Sequence, residues 1–233
     1  MNKESLTKHL QELGVTDLSK IDKLEAFMHE TLKANESFNL TAIKDDEKFR
    51  ELMILDSAYP IKYFNFESKK IIDIGTGAGY PGMVLATLSS GEFTLLDSTR
   101  KKVDFYSNFA SNNEYFNVKP VCARAEEYAR SHKEEYDFAI ARAVADLNIL
   151  VEIILPLLKV NGYFIALKGS KGLDELNKAR NAIKKLGGEV FKIDEYELPE
   201  SNEKRINIII KKIMSTPNKY PREYSRIIIS PIK

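Results

Sequence analysis

The stretch IIDIGTGAGYPG, residues 71–82, places one acid, Asp73, just before the glycines Gly75, Gly77 and Gly79. In an open parallel sheet a small ligand binds beyond the carboxyl ends of the strands, and the first strand-to-helix turn is its usual contact. Glycine permits positive φ and lets a ligand approach the backbone closely. The formal G-x-G-x-x-G that begins at Gly77 is by itself weak evidence for a dinucleotide site.

The sequence around this turn predicts an α/β fold. Five β-rich runs, at residues 71–74, 93–96, 118–121, 138–141 and 163–167, alternate with helical segments at 83–88, 101–111, 125–131, 147–157 and 173–186. Such alternation is typical of parallel strands joined by crossover helices. Two last runs, 190–198 and 206–213, predict an antiparallel hairpin. We therefore predict a mostly parallel seven-stranded sheet with a C-terminal hairpin, unlike the two equal halves of a dehydrogenase.

The first 66 residues show no strand pattern. Apolar positions in residues 21–32 follow helical spacing, and Ser19 with Asp22 three residues later predicts the helix start. An irregular joint at 39–43 precedes another predicted helix around 47–55. The prediction is a helical appendage over residues 1–66 and an α/β domain over residues 67–233.

Composition excludes several classes of protein. The chain of 233 residues has a net charge of +1, so net charge alone does not make it a nucleic-acid-coating polycation. Its one cysteine, Cys122, excludes an internal disulfide, and no Cys/His spacing predicts a metal site. The N-terminus lacks a signal-peptide core, and the apolar run 149–160 is interrupted by charged residues and Pro156. These features predict a soluble cytoplasmic protein with no membrane partner.

Two acids at predicted strand ends indicate the class of ligand. Asp73 would repel a pyrophosphate placed against the glycine turn, whereas S-adenosylmethionine carries a sulfonium and an amino group and no phosphate. Asp97 ends the next strand, where a carboxylate accepts hydrogen bonds from ribose hydroxyls. The alternatives are that Asp73 is satisfied by loop amides and that Asp97 caps a helix.

Residues after the third and fourth strands restrict the atom that such a cofactor would methylate. Cys122 lacks the proline-cysteine context of a covalent nucleophile, so we interpret it as structural. Residues 141–144 read ARAV and lack the Asn/Asp-Pro-Pro turn of amino-group methylation. An unprotonated ring nitrogen such as guanine N7 needs no general base. No catalytic residue is identified, and Arg142 and Lys168, at strand ends, are candidates for positioning.

The C-terminal segment is basic. Residues 204–233 contain eight Lys and Arg residues and one acid, Glu223, which gives a net charge of +7. With Tyr220 and Tyr224 interleaved, this segment suits phosphate contacts and stacking on exposed RNA bases. The alternative is a solvated edge without a partner.

Several motifs together resemble the bacterial RsmG family, also called GidB or glucose-inhibited division protein B. They are, in chain order, NLTAI, ILDS, DIGTGAGYPG, LLDSTRKKV, RAEEY, ARAVADL, LKG and YPR. The resemblance implies a Rossmann-like class I methyltransferase that uses S-adenosylmethionine to methylate guanine N7 in a decoding-region loop of 16S rRNA. It implies a monomer that acts on 16S rRNA or the small ribosomal subunit.

The resemblance also implies site residues. By this resemblance, cofactor contacts are expected at Gly75, Tyr80, Asp97, Ala125, Glu126 and Arg142, and RNA contacts at Lys168, Arg205 and Arg222. The residues themselves add Asp73, Gly77 and Gly79 of the glycine turn to the expected cofactor site and Lys212 of the basic segment to the expected RNA contacts. One departure is that Leu52-Met53 replaces the family's usual Arg-His before LDS.

Two further functions remain open from the sequence. One is an RNA-binding protein that kept the fold and lost catalysis. The other is a methyltransferase for a small molecule or a protein, in which the basic segment has no role.

Overall fold

A single mixed sheet of seven strands organises the protein, as the computed structural model shows for residues 1–232. The strands are β1 (Lys70–Ile74), β2 (Glu92–Asp97), β3 (Val118–Cys122), β4 (Tyr136–Arg142), β5 (Leu158–Gly169), β6 (Gly188–Glu197) and β7 (Lys204–Lys212). Their order is β3-β2-β1-β4-β5-β7-β6, and β7 alone runs in the direction opposite to the other six strands. The predicted fold class is confirmed.

Helices cover both faces of the sheet. In chain order they are α1 (Lys3–Glu12), α2 (Leu18–Asn35), α3 (Asp46–Phe49), α4 (Asp56–Ala58), α5 (Gly82–Leu88), α6 (Arg100–Asn112), α7 (Ala125–Ser131), α8 (Leu147–Ile154), α9 (Gly172–Lys185) and α10 (Tyr224–Ile229). Successive side chains along β1 point to opposite faces of the sheet. Ile71 therefore packs in the apolar cluster that contains α1, α2, α5 and α6, and Ile72 packs in the cluster that contains α7, α8 and α9. None of these helices is long and apolar enough to span a membrane.

Two helix boundaries differ from the prediction for identifiable reasons. The long N-terminal helix begins at Leu18, and its N-cap is Asp17 and not the predicted Ser19. The side chain of Asp17 accepts a hydrogen bond from the amide of Ser19. The predicted helix 147–157 stops being α-helical at Ile154 and ends in a 3₁₀ turn, Leu155–Leu157. Pro156 has no N–H to donate and therefore does not extend the helix.

Between α2 and β1, residues 46–62 are continuously helical. A π-helix, Arg50–Leu55, lies between α3 and α4, and a 3₁₀ turn, Tyr59–Lys62, follows. The joint before α3 is held by Asn35, whose side chain accepts hydrogen bonds from the amides of Leu40 and Thr41. This joint and the π-helix place residues 40–56 at the carboxyl end of the sheet.

The appendage packs into the same apolar cluster as one face of the sheet. Phe27 of α2 is buried against Tyr80 of the glycine turn, with ring centroids 4.9 Å apart, and against Phe109 of α6, at 4.7 Å. Phe49 meets the edge of the same tyrosine at 5.4 Å. The change from helices to sheet falls between Lys62 and Lys70, and the apolar core is shared across it.

This shared core generates a prediction about cooperativity. Phe27→Ala should lower the free energy of unfolding by about 3 to 5 kcal/mol in a single transition, because it leaves a cavity between α2, α6 and the glycine turn. Urea unfolding followed by circular dichroism measures this. The control is Leu18→Ala, at a residue 55% exposed on the same helix, which should change stability by less than about 0.5 kcal/mol. An early transition confined to the appendage, with the main midpoint unchanged, would contradict the shared core.

Candidate functional site

A cleft of about 970 Å³ lies at the carboxyl ends of β1, β2, β4 and β5. Its floor is the glycine turn, one side is the end of β2 with the loop from β3 to α7, and the opposite side is the ends of β4 and β5. The appendage closes it with residues of the joint, the π-helix and α4. Most of the sequence-predicted site residues line this cleft, as strand-end residues of an α/β fold are expected to do.

The glycines of the turn serve different purposes. Gly77 has a φ of +62°, and a Cβ there would meet nothing within 4 Å, so the turn is open to the cleft at this residue. Gly75 has a φ of +69°, and its Cβ would lie 2.7 Å from a methyl group of Val144. At Gly79 a Cβ would lie 2.9 Å from Met83, and this glycine does not line the cleft. Gly79 is therefore required by packing.

Asp97 fastens the glycine turn to the neighbouring strand. One carboxylate oxygen accepts a hydrogen bond from the amide of Gly77 at 3.0 Å, and the other accepts one from the amide of Thr99 at 2.8 Å. From the sequence, two roles were possible for Asp97: a contact with the ligand, or the cap of a helix. In the structure Asp97 forms a local turn with Thr99 and does not cap α6, whose N-cap Thr99 has no side-chain hydrogen bond, and Asp97 lines the cleft.

Asp73 lies beneath the turn and does not line the cleft. Its side chain is 1% exposed, and Oδ2 accepts a hydrogen bond from the amide of Gly82 at 2.8 Å. Oδ1 makes no hydrogen bond of normal geometry within residues 1–232. Burial raises the pKa of Asp73 to about 6, and its contacts with Thr76 and Gly82 offset only part of this effect. The prediction that Asp73 contacts the ligand directly is therefore corrected, because its side chain binds the turn from below and does not line the cleft.

Tyr80 has a buried ring that faces the appendage. Its hydroxyl lies 3.1 Å from the hydroxyl of Thr31, and the ring stacks on Phe27. Burial raises the pKa of the phenol. Tyr80 is among the residues that line the cleft, but its side chain is committed to packing.

The loop that follows β3 supplies an acid with no protein partner. The amide of Ala123 donates a hydrogen bond to the carbonyl of Asp97 at 3.2 Å, so this loop lies directly beside the end of β2. Ala125 and Glu126 begin α7 and line the cleft. The Glu126 side chain, in a residue only 8% exposed, makes no hydrogen bond or ion pair in the described part of the chain. Within residues 1–232, neither carboxylate oxygen is a buried atom without a partner, so the group is open to the cleft and can accept a hydrogen bond from a ligand there.

Arg142 is held by the appendage. Its guanidinium donates to the carbonyl of Leu52 at 3.1 Å and contacts the sulfur of Met53 at 3.2 Å. Asp56 lies 3.5 Å from the same group. The Leu52-Met53 pair, which replaces the usual Arg-His, therefore sits directly on the cleft arginine and contacts it through a carbonyl and a thioether.

Asp56 joins the appendage to three strands. Besides Arg142 of β4, it binds Nε of Arg205 of β7 at 3.2 Å, and it accepts a hydrogen bond from the hydroxyl of Tyr196 of β6 at 3.1 Å. Its side chain is 4% exposed. The ILDS motif contains this residue, but no sequence pattern indicated its three partners.

The two basic residues expected to face RNA at the cleft are both paired. Nζ of Lys168 lies 2.7 Å from Glu175 and donates to the carbonyl of Ala145 at 2.7 Å. Arg205 is bound by Asp56 and Glu203. Both line the cleft, so the structure brings them together with Arg142 on one side of it.

Comparison with known proteins assigns this arrangement to a family. The family model for GidB, rRNA small subunit methyltransferase G, matches residues 20–207. The chain belongs to this family. A protein named ribosomal RNA small subunit methyltransferase G from Alkaliphilus oremlandii is 42% identical, covering 95% of this chain and 94% of its own. A protein of the same name from Fusobacterium nucleatum is 39% identical, covering 95% and 96%.

Solved structures agree in fold. A SAM dependent methyltransferase from Aquifex aeolicus superposes with a TM-score of 0.53 at 16% identity, over 72% of this chain and 95% of its own. M. jannaschii TYW2 in complex with AdoMet gives a TM-score of 0.53 at 15% identity, over 65% and 72%. At these identities the likeness concerns the architecture of the sheet and its helices.

Two residues predicted to contact RNA are placed elsewhere in this member of the family. Lys212 is fully buried, where Nζ donates to the carbonyl of Leu155 and to the hydroxyl of Thr216, and burial lowers its pKa to about 8. Arg222 forms two hydrogen bonds of 2.7 Å with the fully buried carboxylate of Glu152. Both predictions are corrected, because these cations satisfy internal acceptors.

Several residues that line the cleft were not predicted as site residues from the sequence. Lys102 and Arg124 line the cleft and make no ion pair within residues 1–232, while Val144 covers Gly75. Tyr224 also lines the cleft, although it lies 17 residues beyond the match to the family model. In the sequence, only the basic and aromatic character of residues 204–233 indicated a functional role for Tyr224.

The Asp56 contacts predict a large cost of removing one carboxylate. Asp56→Ala should lower the free energy of unfolding by about 3 kcal/mol, because it leaves two nearly buried arginines without their shared partner. Chemical denaturation at pH 7 measures the change. Asp22→Ala is the matched control, since its pair with Lys3 is exposed on both sides and its loss should leave stability unchanged within error. Equal stability of the two variants would contradict the role of Asp56.

The raised pKa of Asp73 predicts a pH-dependent effect on stability. Between pH 4 and 6 the folded protein keeps a proton on Asp73 that the unfolded chain releases, so this group makes stability fall as pH rises through that window. Asp73→Asn removes the effect. Its stability relative to the unsubstituted protein should therefore increase by about 2 to 3 kcal/mol from pH 4 to pH 7. Urea unfolding at both pH values tests this, with the exposed Asp22→Asn as control. A difference that is the same at both pH values would contradict it.

Proposed function

We propose that this protein is an S-adenosylmethionine-dependent methyltransferase that acts on N7 of a guanine in a decoding-region loop of 16S rRNA. The observation that carries the proposal is the pair of carboxylates, Asp97 and Glu126, beside the open turn at Gly77. Together they suit a nucleoside that presents hydroxyl and amino donors. Membership of the family supports the same reaction.

The cleft residues fit the cofactor in a definite division of roles. Asp97 would hold the ribose hydroxyls, and Ala125 and Glu126 would lie beside the adenine. Gly77 would border the amino-acid part, because the turn is open there, and Gly75 would lie next to it under Val144. Arg142 would pair with its carboxylate. Tyr80 would contribute its backbone, since its ring is packed against the appendage.

The chemistry asks mainly for positioning. The bound cofactor supplies a methyl group on a sulfonium, whose carbon–sulfur bond breaks as the bond to N7 forms. The N7 lone pair accepts the methyl without releasing a proton, so no general base is required. What the chain contributes is the alignment of the guanine with the methyl group. Arg142 and Lys168, fixed by Asp56 and Glu175, are the positioning candidates on the side of the cleft opposite Asp97.

The cations at the cleft that can still contact a phosphate indicate which surface faces the RNA. Lys102 and Arg124 at the cleft make no ion pair in the described residues, and Arg205, although paired with Asp56 and Glu203, keeps 16% of its side chain exposed at the rim. We propose these three for phosphate contacts, with Lys168 behind them. The substrate is 16S rRNA or the small subunit that contains it, and the protein acts as a monomer in the cytoplasm.

The function is tested by transfer of labelled methyl groups to small subunits from cells that lack this protein. The expected product is N7-methylguanosine at one position of 16S rRNA, located by cleavage at the modified base. Asp97→Ala should raise the KM for S-adenosylmethionine at least about tenfold, since it removes the proposed ribose acceptor and loosens the turn. Asp22→Ala, far from the cleft, should match the unsubstituted protein.

Two results would contradict the proposal. Calorimetric binding of NAD but not of S-adenosylmethionine would indicate a dehydrogenase-like ligand. Cofactor binding without label in rRNA, and rRNA affinity that does not fall with salt, would indicate a small-molecule or protein substrate, since phosphate contacts weaken as salt increases.

A further inference from the structure

The C-terminal helix brings an aromatic side chain to the cleft. Tyr224 is the first residue of α10 and lines the cleft, partly exposed, whereas Tyr220 of the same segment is buried. Its hydroxyl has no hydrogen-bond partner within residues 1–232. The proposed function described above does not use this residue, and the match to the family model ends before it.

Two ion pairs fix the position of Tyr224. Arg222, two residues earlier, binds Glu152 of α8, and Glu223 lies 2.7 Å from Arg130 of α7. Further along, Ile227 is fully buried. The tyrosine is therefore held where α7 and α8 meet the cleft, on the side of the loop that follows β3.

That part of the cleft has the chemistry of a purine pocket. Ala123 of the loop, Ala125 at the start of α7, and Leu150 and Ile153 of α8 are apolar, and Glu126, which has no hydrogen-bond partner within residues 1–232, is an acceptor beside them. A purine offers an apolar face for stacking and an exocyclic amino group as a donor. A nucleoside whose ribose reaches Asp97 has its base next to this loop, because Ala123 is hydrogen-bonded to Asp97.

We infer that Tyr224 stacks on the adenine of the bound cofactor and closes the outer side of its pocket. The inference rests on the proposed function, because it takes the ribose to lie at Asp97. It makes the C-terminal helix part of the cofactor site, and it gives a purpose to the two ion pairs that hold the helix against α7 and α8.

The chain contains no tryptophan, which permits a direct optical test. Tyr224→Trp places a single indole at the proposed stacking position. Its emission should change saturably with S-adenosylhomocysteine and with adenosine, and not with methionine. The control is Phe116→Trp, at a residue 92% exposed near the opposite end of the sheet, whose emission should not respond. No response from Tyr224→Trp, while calorimetry shows that this variant binds S-adenosylhomocysteine, would overturn the inference.

Affinity provides the second measurement. Tyr224→Ala should weaken S-adenosylhomocysteine binding about tenfold, and Tyr224→Phe should retain it, because the ring and not the hydroxyl makes the contact. Ile229→Ala, on the exposed side of the same helix, should bind as the unsubstituted protein does. Unchanged cofactor affinity in Tyr224→Ala, with only the KM for rRNA raised, would overturn the inference in favour of a contact with the target guanine. If the unsubstituted protein does not bind S-adenosylhomocysteine, the proposed function itself fails.

Discussion

The cleft depends on one nearly buried carboxylate, Asp56, which attaches the helical appendage to the sheet. It binds Arg142 and Arg205 on two different strands and accepts a hydrogen bond from Tyr196 on a third. A buried charge is tolerated only when it is paired, so the appendage and the strand ends fix each other's positions. The Phe27–Tyr80 contact does the same by packing at the glycine turn.

Buried charges recur wherever a peripheral segment meets the sheet. Glu152 binds the segment before α10 through Arg222, Lys212 caps a carbonyl of the 3₁₀ turn after α8, and Asp73 binds the turn above it. Each of these groups would be costly without its partner. They therefore specify how the loops and the tail dock, which apolar packing does less selectively. The cations that remain at the cleft, Lys102 and Arg124, are the ones available to an anionic substrate.

The fold could be predicted in advance because it follows from local patterns. Alternating β-rich and helical segments predicted five strands, the last two β-rich runs predicted the hairpin of β6 and β7, and β7 inserts between β5 and β6. The glycine turn, Asp97, Arg142 and Lys168 were predicted as site residues because strand ends meet at one edge of a parallel sheet. Errors arose where a side chain's partner is distant in sequence: Lys212 was interpreted as an RNA contact, although its carbonyl partner, Leu155, lies 57 residues away.

The sequence alone determined the order of elements, the place of the cleft and the class of ligand that a glycine turn with two acids favours. The tertiary structure decided which of those acids faces the cleft. Asp73 and Asp97 are equivalent as strand-end acids, yet burial beneath the turn removes Asp73 from the ligand and leaves Asp97 beside it. The tertiary structure also decided that Tyr224 lines the cleft and that Tyr220 does not. Burial and long-range pairing select among chemically identical side chains, and neither is encoded in local spacing.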